Sequence, residues 1–521
     1  MRKLTNEERE KQSRMPILAM TKEFVEQNRG YFCIPGHRFE RGMNPALREQ
    51  YGEGLFRYDL TETDHLDDLH HAEGPILEAQ QLAAQLFGSD RCFFLVNGTT
   101  CGNEAMILTA VSPGEKILIA RNAHKSVTMG LILSGAVPVW MEPEMDEEWG
   151  FAGEILPETV ERHLKEQPDC KAVFLVSPTY YGTCSDLRKI GEVCHRHGVP
   201  LLVDEAHGSH LYFHSSCPEG AMEAGADACV QSTHKTLGSL TQTSMLHMQG
   251  TLLDQERMDE NLKLVMSTSP SYVFMAAMDA ARQQMAMEGE VLLDRALRLA
   301  DRLRHAVSSM HGYRLLQGKR LDPLRVVISG KPMGLTGEEL QGLLFQKGRI
   351  SLEMADPVSV VLVLTWGNTE AEISYLIEVL RLIQEEQTAG TFEDRKQIFK
   401  LNSVRPGAEL ADQLDLYRRR SKWNEEFRSA EIKHTAKLPS PEVVLSPRDA
   451  YYAKKESVPM ENAAGRIAGE LIAPYPPGIP AVCPGERLTD ALIRYLKDCA
   501  ARNCRLHGPA DETLETIRVL R

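Results

Sequence analysis

Between about residues 85 and 245, short apolar runs alternate with segments of helical character, and this alternation constrains the fold more than any other feature. The runs lack polar alternation, as is typical of strands that are buried on both faces. Candidate strands are Cys92–Val96, Lys116–Ala120, Val137–Met141, Ala172–Val176, Pro200–Asp204 and Ala228–Gln231. Candidate helices between them are Thr100–Val111, Lys125–Ser134, Glu158–Glu166 and Leu187–His197. The pattern predicts an α/β layer fold with a mostly parallel sheet.

The position of one proline and the ends of the strands refine this prediction. Pro138 lies inside the run Val137–Met141 and cannot donate to a neighbouring strand, so it favours an edge position or a strand start. Ligands of parallel sheets bind beyond the carboxyl ends of the strands. The residues that directly follow each apolar run are therefore the first candidates for function.

The rest of the chain divides into further units. A long helical stretch at 275–310 leads into a second α/β unit, with strands near Arg325–Ser329 and Ser359–Leu364 and a helix through Ala371–Glu386. A polar stretch around 387–440 precedes a segment whose prolines, at 474, 476, 477, 480 and 484, favour an extended path with many turns. We expect an N-terminal segment at 1–20, a large domain at 21–275, a small α/β domain at 276–388 and a C-terminal α+β domain at 389–521.

Composition excludes several classes of function. The 521 residues carry a formal charge of -14, which disfavours binding to nucleic acid or to an anionic membrane surface. The eleven cysteines lack the paired spacing of a zinc site, so we expect free thiols in a reducing compartment and no metal. The N-terminus has no apolar signal core, and no 18 apolar residues run together. These features predict a cytoplasmic protein.

Lys235 is the first candidate for chemistry. It lies in the stretch Ser232-Thr233-His234-Lys235, directly after a predicted strand. A lysine in this position can form an imine with an aldehyde cofactor, while the adjacent hydroxyls hold a phosphate. Alone, a lysine after a strand is more often a solvated surface residue.

Asp204 ends another predicted strand and is followed by Glu205-Ala206-His207-Gly208. An aspartate there can pair with a protonated pyridine nitrogen and keep the ring cationic, so that the ring accepts electrons. A helix cap or a metal ligand is an equally ordinary role for a strand-end aspartate.

Two further strand ends carry suitable residues. The turn Asn97-Gly98-Thr99-Thr100 opens a predicted helix, whose free N–H groups and threonine hydroxyls can bind a phosphate. His124 follows the next strand, and its flat imidazole can stack on a pyridine ring. Each feature alone is also compatible with a purely structural role; their common position at the strand ends of one sheet carries the hypothesis.

At these residues the sequence resembles the pyridoxal-phosphate-dependent Orn/Lys/Arg decarboxylase family, of aspartate-aminotransferase fold type (fold type I). The resemblance extends from about residue 15 to 490. The matching stretches include PGH at 35–37, DLTETDHLDDLHHAEGPI at 59–76, NGTTCGN at 97–103, ARNAHKSV at 120–127, SPTYYG at 177–182, VDEAHGSH at 203–210, QSTHKTLGSLTQTSMLH at 231–247, STSPSYVFMAAMD at 267–279 and LDPLRVVIS at 321–329, together with the C-terminal SPRDAYYAKKE and PYPPGIPAVCPGE.

The resemblance implies a fold-type-I enzyme with a seven-stranded sheet in its large domain, and it implies residue roles. Lys235 carries pyridoxal phosphate as a Schiff base, Asp204 faces the pyridine nitrogen, His124 stacks on the ring and His207 lies close to it. The phosphate is bound by the turn and by hydroxyl or imidazole groups around it, namely Gly98, Thr99, Thr100, Ser232 and His234.

The resemblance also implies decarboxylation of arginine, lysine or ornithine to the amine and CO2, which feeds polyamine metabolism. Candidates to bind the cationic end of the substrate are Asp64, Asp67, Asp68 and Glu73, reaching the site of the neighbouring subunit, and Glu353. We expect a homodimer with active sites near the subunit interface. Several relatives carry an N-terminal wing domain of over a hundred residues. Because PGH arrives by residue 35 here, we expect that domain, and the ring assembly that it supports, to be absent.

Two other functions remain open on the sequence alone. Another fold-type-I enzyme, such as an aminotransferase or a carbon–carbon lyase, would use the same cofactor-binding residues and release a different product. A catalytically silent paralogue would serve as a binding or regulatory partner, although the intact set of Lys235, Asp204 and His124 argues against this role.

Overall fold

The computed structural model describes residues 4–388, 441–475, 478–501 and 504–521. The predicted polar stretch lies outside the described residues from residue 389 to 440, as do Pro476 and Pro477. The strands are β1 (Arg91–Leu95), β2 (Lys116–Ala120), β3 (Val137–Met141), β4 (Met145–Asp146), β5 (Phe151–Ala152), β6 (Val173–Val176), β7 (Leu201–Asp204), β8 (Ala228–Gln231), β9 (Ser244–Met248), β10 (Arg314–Leu315), β11 (Arg325–Ser329), β12 (Met354–Ala355), β13 (Val360–Val363), β14 (Lys455–Pro459), β15 (Ala473–Pro474), β16 (Leu506–His507) and β17 (Thr516–Leu520).

The α-helices of the described residues alternate with these strands through most of the chain. They are α1 (Asn6–Gln12), α2 (Pro16–Gln27), α3 (Pro45–Tyr51), α4 (Glu53–Arg57), α5 (Pro75–Phe87), α6 (Gly98–Ala110), α7 (Lys125–Ser134), α8 (Pro157–Glu166), α9 (Leu187–Arg196), α10 (Thr233–Thr236), α11 (Gln255–Val265), α12 (Tyr272–Ser308), α13 (Gly337–Gly348), α14 (Glu370–Thr388), α15 (Pro447–Tyr452) and α16 (Asp490–Ala501). In the part of the chain that the structure describes, no helix is long and apolar enough to cross a membrane.

The large sheet has seven strands in the order β1-β9-β8-β7-β6-β2-β3. The pairings from β8 through β7, β6 and β2 to β3 are parallel, whereas β9 is antiparallel to both β8 and β1. The predicted mostly parallel sheet is confirmed, and the proline-containing β3 lies at an edge. The strand β9 was not among those found from the apolar runs. Its sequence, SMLHM, contains two polar residues although all five residues are buried.

Both faces of the large sheet are covered by helices, which explains why its strands lack polar alternation. Along β1, Phe93 and Leu95 belong to one apolar core with residues of α6, α7 and α11. Phe94 points to the opposite core, which contains residues of α5, α8, α9 and α12. Successive side chains of a strand alternate between faces, so each strand contributes to both cores.

The second unit contains a four-stranded sheet in the order β10-β11-β13-β12, and all its pairings are antiparallel. The 37-residue helix α12 connects the two sheets: it packs against α2 and α5 near the large sheet and against α14 and β10 beside the small one. Strand β11 begins at Arg325, directly beside the segment Tyr180–Gly182 that follows β6. The small sheet therefore meets the large sheet at its carboxyl edge.

The C-terminal segment also reaches that edge. The buried guanidinium of Arg121, one residue beyond β2, donates to the carbonyl oxygens of Pro480 and Ala481 at 2.9 Å each and pairs with Glu486 at 3.4 Å. The backbone N–H of Lys125 donates to the carbonyl oxygen of Gly478 at 3.1 Å. These contacts hold the proline-rich loop against the start of α7.

Candidate active site

Asp204 is buried at the carboxyl end of β7, in the middle of the large sheet. Its Oδ1 accepts a hydrogen bond from the backbone N–H of Ala206 at 3.1 Å, and its Oδ2 accepts one from the side-chain amide of Asn103 at 2.8 Å. Each carboxylate oxygen has two lone pairs, so both oxygens keep acceptor capacity for a further donor. Asp204 can therefore hold a cationic N–H group in front of the sheet.

His124 caps the N-terminus of α7, as its place after β2 requires. Its Nδ1 lies 2.9 Å from the hydroxyl of Ser126, and the same hydroxyl accepts a hydrogen bond from Asn103 at 2.9 Å. The amide of Asn103 thus bridges Asp204 and Ser126 and connects Asp204 to His124. Burial lowers the pKa of His124 to about 4; the Asp204 carboxylate opposes this shift and the Lys235 cation adds to it. The imidazole is neutral at physiological pH.

The C-terminal loop closes against one side of His124. A Cβ atom on Gly478 would lie 3.4 Å from Nε2 of His124, and Gly478 has a positive φ of 87° that favours glycine. A residue of the C-terminal segment therefore lies beside a side chain at the carboxyl edge of the large sheet. The role of the C-terminal segment, which the sequence left open, includes forming a wall beside His124.

Lys235 and His207 are in direct contact. Lys235 lies in α10, one turn beyond β8, and its Nζ is 3.1 Å from Nε2 of His207, three residues after Asp204. Burial lowers the pKa of Lys235; the Arg325 cation lowers it further, whereas the carboxylates of Asp204 and Glu353 raise it. Burial and the cations of Lys235 and Arg325 hold the pKa of His207 well below its usual value.

Arg325 and Glu353, both from the second unit, lie on the same side of the site as Lys235. The Nη2 of Arg325 lies 2.7 Å from Nδ1 of His207. The ring of Tyr180 contacts the His207 ring edge-on at 4.6 Å between centroids, and its hydroxyl donates to Oε1 of Glu353 at 2.7 Å. A continuous series of contacts thus leads from Lys235 to an acidic residue beside the small sheet.

The predicted phosphate turn opens α6. Gly98 has a positive φ of 74°, and Thr99 Oγ1 makes a short hydrogen bond with Ser232 Oγ and a 3.0 Å contact with Ser244 Oγ. Thr100 is exposed in the first turn of the helix. Hydroxyls from three strand ends and the N-terminus of a 13-residue helix converge there, a suitable cradle for a phosphate.

His234 lies beside this cradle. Its Nδ1–H donates to the carbonyl oxygen of Thr243 at 2.8 Å, which leaves Nε2 as the group free to face an anion. Burial lowers the pKa of His234, with the Lys235 cation as a smaller contribution in the same direction. A neutral His234 would accept at Nε2, so contact with a phosphate oxygen requires protonation of either partner.

The acidic loop at 64–73 lies elsewhere in the chain. Asp67 accepts hydrogen bonds from the backbone N–H groups of Glu73, Gly74 and Ile76 at 3.1, 3.0 and 2.7 Å, and so organises the start of α5. Asp68 accepts from the backbone of His70, and Glu73 pairs with His71 at 3.0 Å. Asp64 is exposed. Within the chain these acids bind their own loop, and Glu353 is the predicted substrate residue that connects to Lys235.

Besides Tyr180 and Gly478, four residues of the site were not predicted as such from the sequence: Asn103, Ser126, Ser244 and Arg325. All four lie inside the stretches that carry the family resemblance, at 97–103, 120–127, 231–247 and 321–329. Position after a strand marked their neighbours but not them, because each acts through a second side chain. Cys92, Cys101, Cys170, Cys184, Cys194, Cys229 and Cys483 are buried free thiols.

Comparison with known proteins agrees with this geometry. The family model "Orn/Lys/Arg decarboxylase, major domain" matches residues 15–324, and the model of the C-terminal domain of the same family matches residues 430–513. The chain is similar to an arginine decarboxylase of Bacillus anthracis, with 36% identity over 97% of each chain. An arginine decarboxylase of Bacillus subtilis is 36% identical over 98% of each chain.

Solved structures support the same fold. The crystal structure of a lysine decarboxylase from Francisella novicida superimposes with a TM-score of 0.80 at 24% identity, covering 97% of this chain and 81% of that one. The extent of the family match and the identity to full-length relatives are together sufficient to assign the family. The chain belongs to the Orn/Lys/Arg decarboxylase family of amino-acid decarboxylases.

Proposed function

We propose that this protein decarboxylates a basic L-amino acid with pyridoxal phosphate as cofactor, and that arginine is its preferred substrate. The observation that carries the proposal is the contact between Lys235 and His207 at 3.1 Å, beside the buried Asp204, in a member of this decarboxylase family. Arginine is favoured over lysine and ornithine because two relatives that are 36% identical over nearly the whole chain are named arginine decarboxylases.

The residues of the cleft fit pyridoxal phosphate. Thr99, Ser232 and the first turn of α6 would bind its phosphate, and Asp204 would accept a hydrogen bond from the protonated pyridine nitrogen. Burial lowers the pKa of Lys235, which favours the uncharged amine that imine formation needs. The bound cofactor would supply an electron sink for the electron pair that remains on Cα when CO2 departs.

The chain's own residues divide the remaining tasks. The neutral ring of His124 would cover the flat cofactor, and the wall at Gly478 would keep that ring in place. Asn103 would hold Asp204 and Ser126 in register. His207 would present a hydrogen-bonding nitrogen to Lys235, the residue that would hold the cofactor. A proton must reach Cα after CO2 leaves, and Lys235 and His207 are the candidates to deliver it.

The cationic end of the substrate would bind Glu353. The series of contacts from Lys235 through His207 and Tyr180 ends at this carboxylate, so a substrate whose α-amine lies at Lys235 can extend its side chain toward it. A guanidinium can donate two parallel hydrogen bonds to one carboxylate, which suits arginine. The amine product belongs to the chemical class from which polyamines are made, and we propose that the reaction feeds polyamine metabolism.

We further propose that the protein acts as a homodimer in the cytoplasm. The segment before the acidic loop exposes large apolar side chains, with Phe32 at 92%, Ile34 at 61% and Tyr51 at 63% exposure, a pattern typical of a surface that another chain covers. A partner on this surface would bring Asp67, Asp68 or Glu73 to the other subunit's site. Buried free thiols such as those of Cys92, Cys184 and Cys229 suit a reducing compartment. Sedimentation velocity tests the dimer, and a monomer at micromolar concentration would contradict it.

Product analysis tests the reaction. The purified protein is incubated with pyridoxal phosphate and, separately, with arginine, lysine, ornithine and a neutral amino acid, and products are identified by mass spectrometry. We expect agmatine from arginine at the highest kcat/KM. Cadaverine or putrescine as the main product would change the substrate but keep the reaction class. A keto acid, or no product from any basic amino acid, would overturn the proposal.

Lys235→Ala tests the covalent role of the lysine. We expect loss of turnover and loss of the covalent adduct that borohydride reduction forms between the holoenzyme and its cofactor, measured by intact-protein mass spectrometry. Lys263→Ala, an exposed lysine on α11, is the matched control and should keep both. Normal activity or an unchanged adduct in the Lys235 variant would show that another group holds the cofactor.

A further inference from the structure

We propose that Arg325 is a positioning residue that fixes His207 with Nδ1 as its hydrogen-bond acceptor, so that Nε2 carries the ring proton and presents it to the Lys235 nitrogen. The proposal deepens the proposed function, since it rests on Lys235 as the reactive amine. It concerns the chain's own side chains before any cofactor or substrate binds.

The contact between Arg325 and His207 has a defined donor and a defined acceptor. Arg325 Nη2 and His207 Nδ1 are 2.7 Å apart, and both residues are buried. A guanidinium has five N–H donors, no acceptor, and remains protonated in proteins. The imidazole nitrogen that faces it must therefore be unprotonated. The Nδ1 atom of His207 is the acceptor.

The proton of His207 is on the other ring nitrogen, Nε2. A neutral imidazole carries one proton, so with Nδ1 as acceptor the proton is on Nε2. Burial and the neighbouring Arg325 cation hold the pKa of His207 well below its usual value, which excludes the doubly protonated ring at physiological pH. The Nε2–H bond then points at Lys235 Nζ, 3.1 Å away.

Lys235 is the group that faces this proton. An ammonium group has three donors and no acceptor, so Nζ accepts from Nε2–H only as the uncharged amine. Burial lowers the pKa of Lys235, and the Arg325 cation lowers it further. Asp204 and Glu353 raise it. The net direction is downward. Arg325 therefore acts on the lysine in two ways, through the tautomer of His207 and through its own charge.

The buried position of Arg325 carries an energetic cost. Its Nε and Nη1 are buried and have no hydrogen-bond partner among the residues that the structure describes, an arrangement that costs stability. Its stem lies against Gly182, where an added Cβ would be 2.7 Å from the Arg325 Cβ and where φ is +90°. Arg304 donates to the carbonyl oxygen of Arg325 at 2.7 Å and supports the backbone. The fold thus makes room for a costly cation whose hydrogen-bonding contact is His207.

The tautomer of His207 is measured directly in the cofactor-free protein. Two-bond proton–nitrogen correlation spectra of deuterated, 15N-histidine-labelled protein distinguish the tautomers, and His207→Gln identifies the signal. We expect the Nε2-protonated form in the wild type and in Arg325→Lys, which keeps a cationic donor. Arg325→Met should lose the single tautomer. Arg448→Met, the loss of a partly buried arginine that donates to the carbonyl oxygen of Ile132, should keep it.

A second measurement follows Lys235 in the same protein. Competitive acetylation followed by peptide mass spectrometry gives the pKa of its amine. This pKa should rise in Arg325→Met because a nearby cation is lost, and it should stay low in Arg448→Met. Protonation of His207 on Nδ1 in the wild type would overturn the proposal even if no variant folds. An unchanged tautomer in a folded Arg325→Met would overturn it too. Absence of decarboxylation with the expected tautomer would instead refute the proposed function alone.

Discussion

The two sides of the cleft are built in different ways. On the Asp204 side, the contacting groups (Asn103, His124, Ser126 and Asp204) come from strand ends and helix starts of the large sheet, all within one layer arrangement. On the Lys235 side, His207 and Lys235 from the large sheet meet Arg325 and Glu353 from the second unit. The first side follows from one sheet, whereas the second exists only when two sheets are packed together.

This difference indicates a division of labour. A rigid set of groups on a single sheet suits the cofactor, whose shape does not change between substrates. Groups that come from a second sheet can vary in distance and charge without disturbing the first set, which suits substrate recognition and control of the lysine. The following predictions test this comparison.

Asp204→Ala should produce the largest loss on the cofactor side. We expect kcat to fall by roughly 10²-fold or more, the scale of removing one preorganised electrostatic partner. The rate of amine formation at saturating substrate and cofactor is the measurement. Near-normal kinetics would show that another acid faces the cofactor and would remove the functional contrast between the two sides.

Glu353→Gln should affect the substrate side. We expect kcat/KM for the basic substrate to fall by about 10- to 100-fold, since a hydrogen bond to a charged group contributes about 1.5–3 kcal/mol. The loss should lie mainly in KM, with cofactor affinity unchanged. Glu73→Gln is the comparison from the acidic loop. A larger loss there than at Glu353 would place the recognition of the cationic end in the loop, in the subunit partner's site.

Acid should lower the stability of the folded protein, because each side of the cleft contains a buried neutral histidine. Burial first of all lowers the pKa of His124 to about 4 and that of His207 well below its usual value. Between pH 6.5 and about 4 the unfolded chain therefore binds more protons than the folded one, and stability falls as pH falls. Each histidine contributes up to about 1.4 kcal/mol per pH unit in this window.

Thermal unfolding of the cofactor-free protein across that range measures the effect. His124→Phe and His207→Phe should each flatten the dependence of the midpoint on pH. His247, buried in β9 with a pKa lowered to about 3 by burial, offers a matched control outside the cleft, and His247→Phe should flatten it to a similar degree. A midpoint that does not change between pH 6.5 and 4 would contradict neutral histidines on both sides.

Asp67→Asn should have the smallest effect of the series and should act on stability. Asp67 accepts hydrogen bonds from backbone N–H groups at the start of α5, so we expect a loss of about 1 kcal/mol in the free energy of unfolding, as for the loss of a helix cap. Denaturant unfolding measures it. A drop in kcat/KM without loss of stability would instead assign Asp67 to the substrate, as the family resemblance first implied.

The fold was largely predictable because buried parallel strands are recognisable as short apolar runs. Six strands of the large sheet were found in this way, and Pro138 correctly indicated an edge. The exception, β9, contains Ser244 and His247, whose Oγ and Nδ1 atoms form hydrogen bonds with Thr99 and Ser89 after folding. Alone in the sequence, those residues interrupt the apolar pattern, so the strand was missed.

The sequence by itself determined which residues stand at the carboxyl ends of the strands, because strand periodicity and chain order place Asp204, His124 and Lys235 there whatever else the chain does. Only the tertiary structure decided which remote groups meet them. Arg325 lies 118 positions from His207 in the chain and contacts it because the small sheet packs against the edge of the large one. Glu353 and Asp67 are both acidic residues, and the sequence alone does not separate their roles. Packing directs Glu353 toward Lys235, whereas Asp67 organises its own loop.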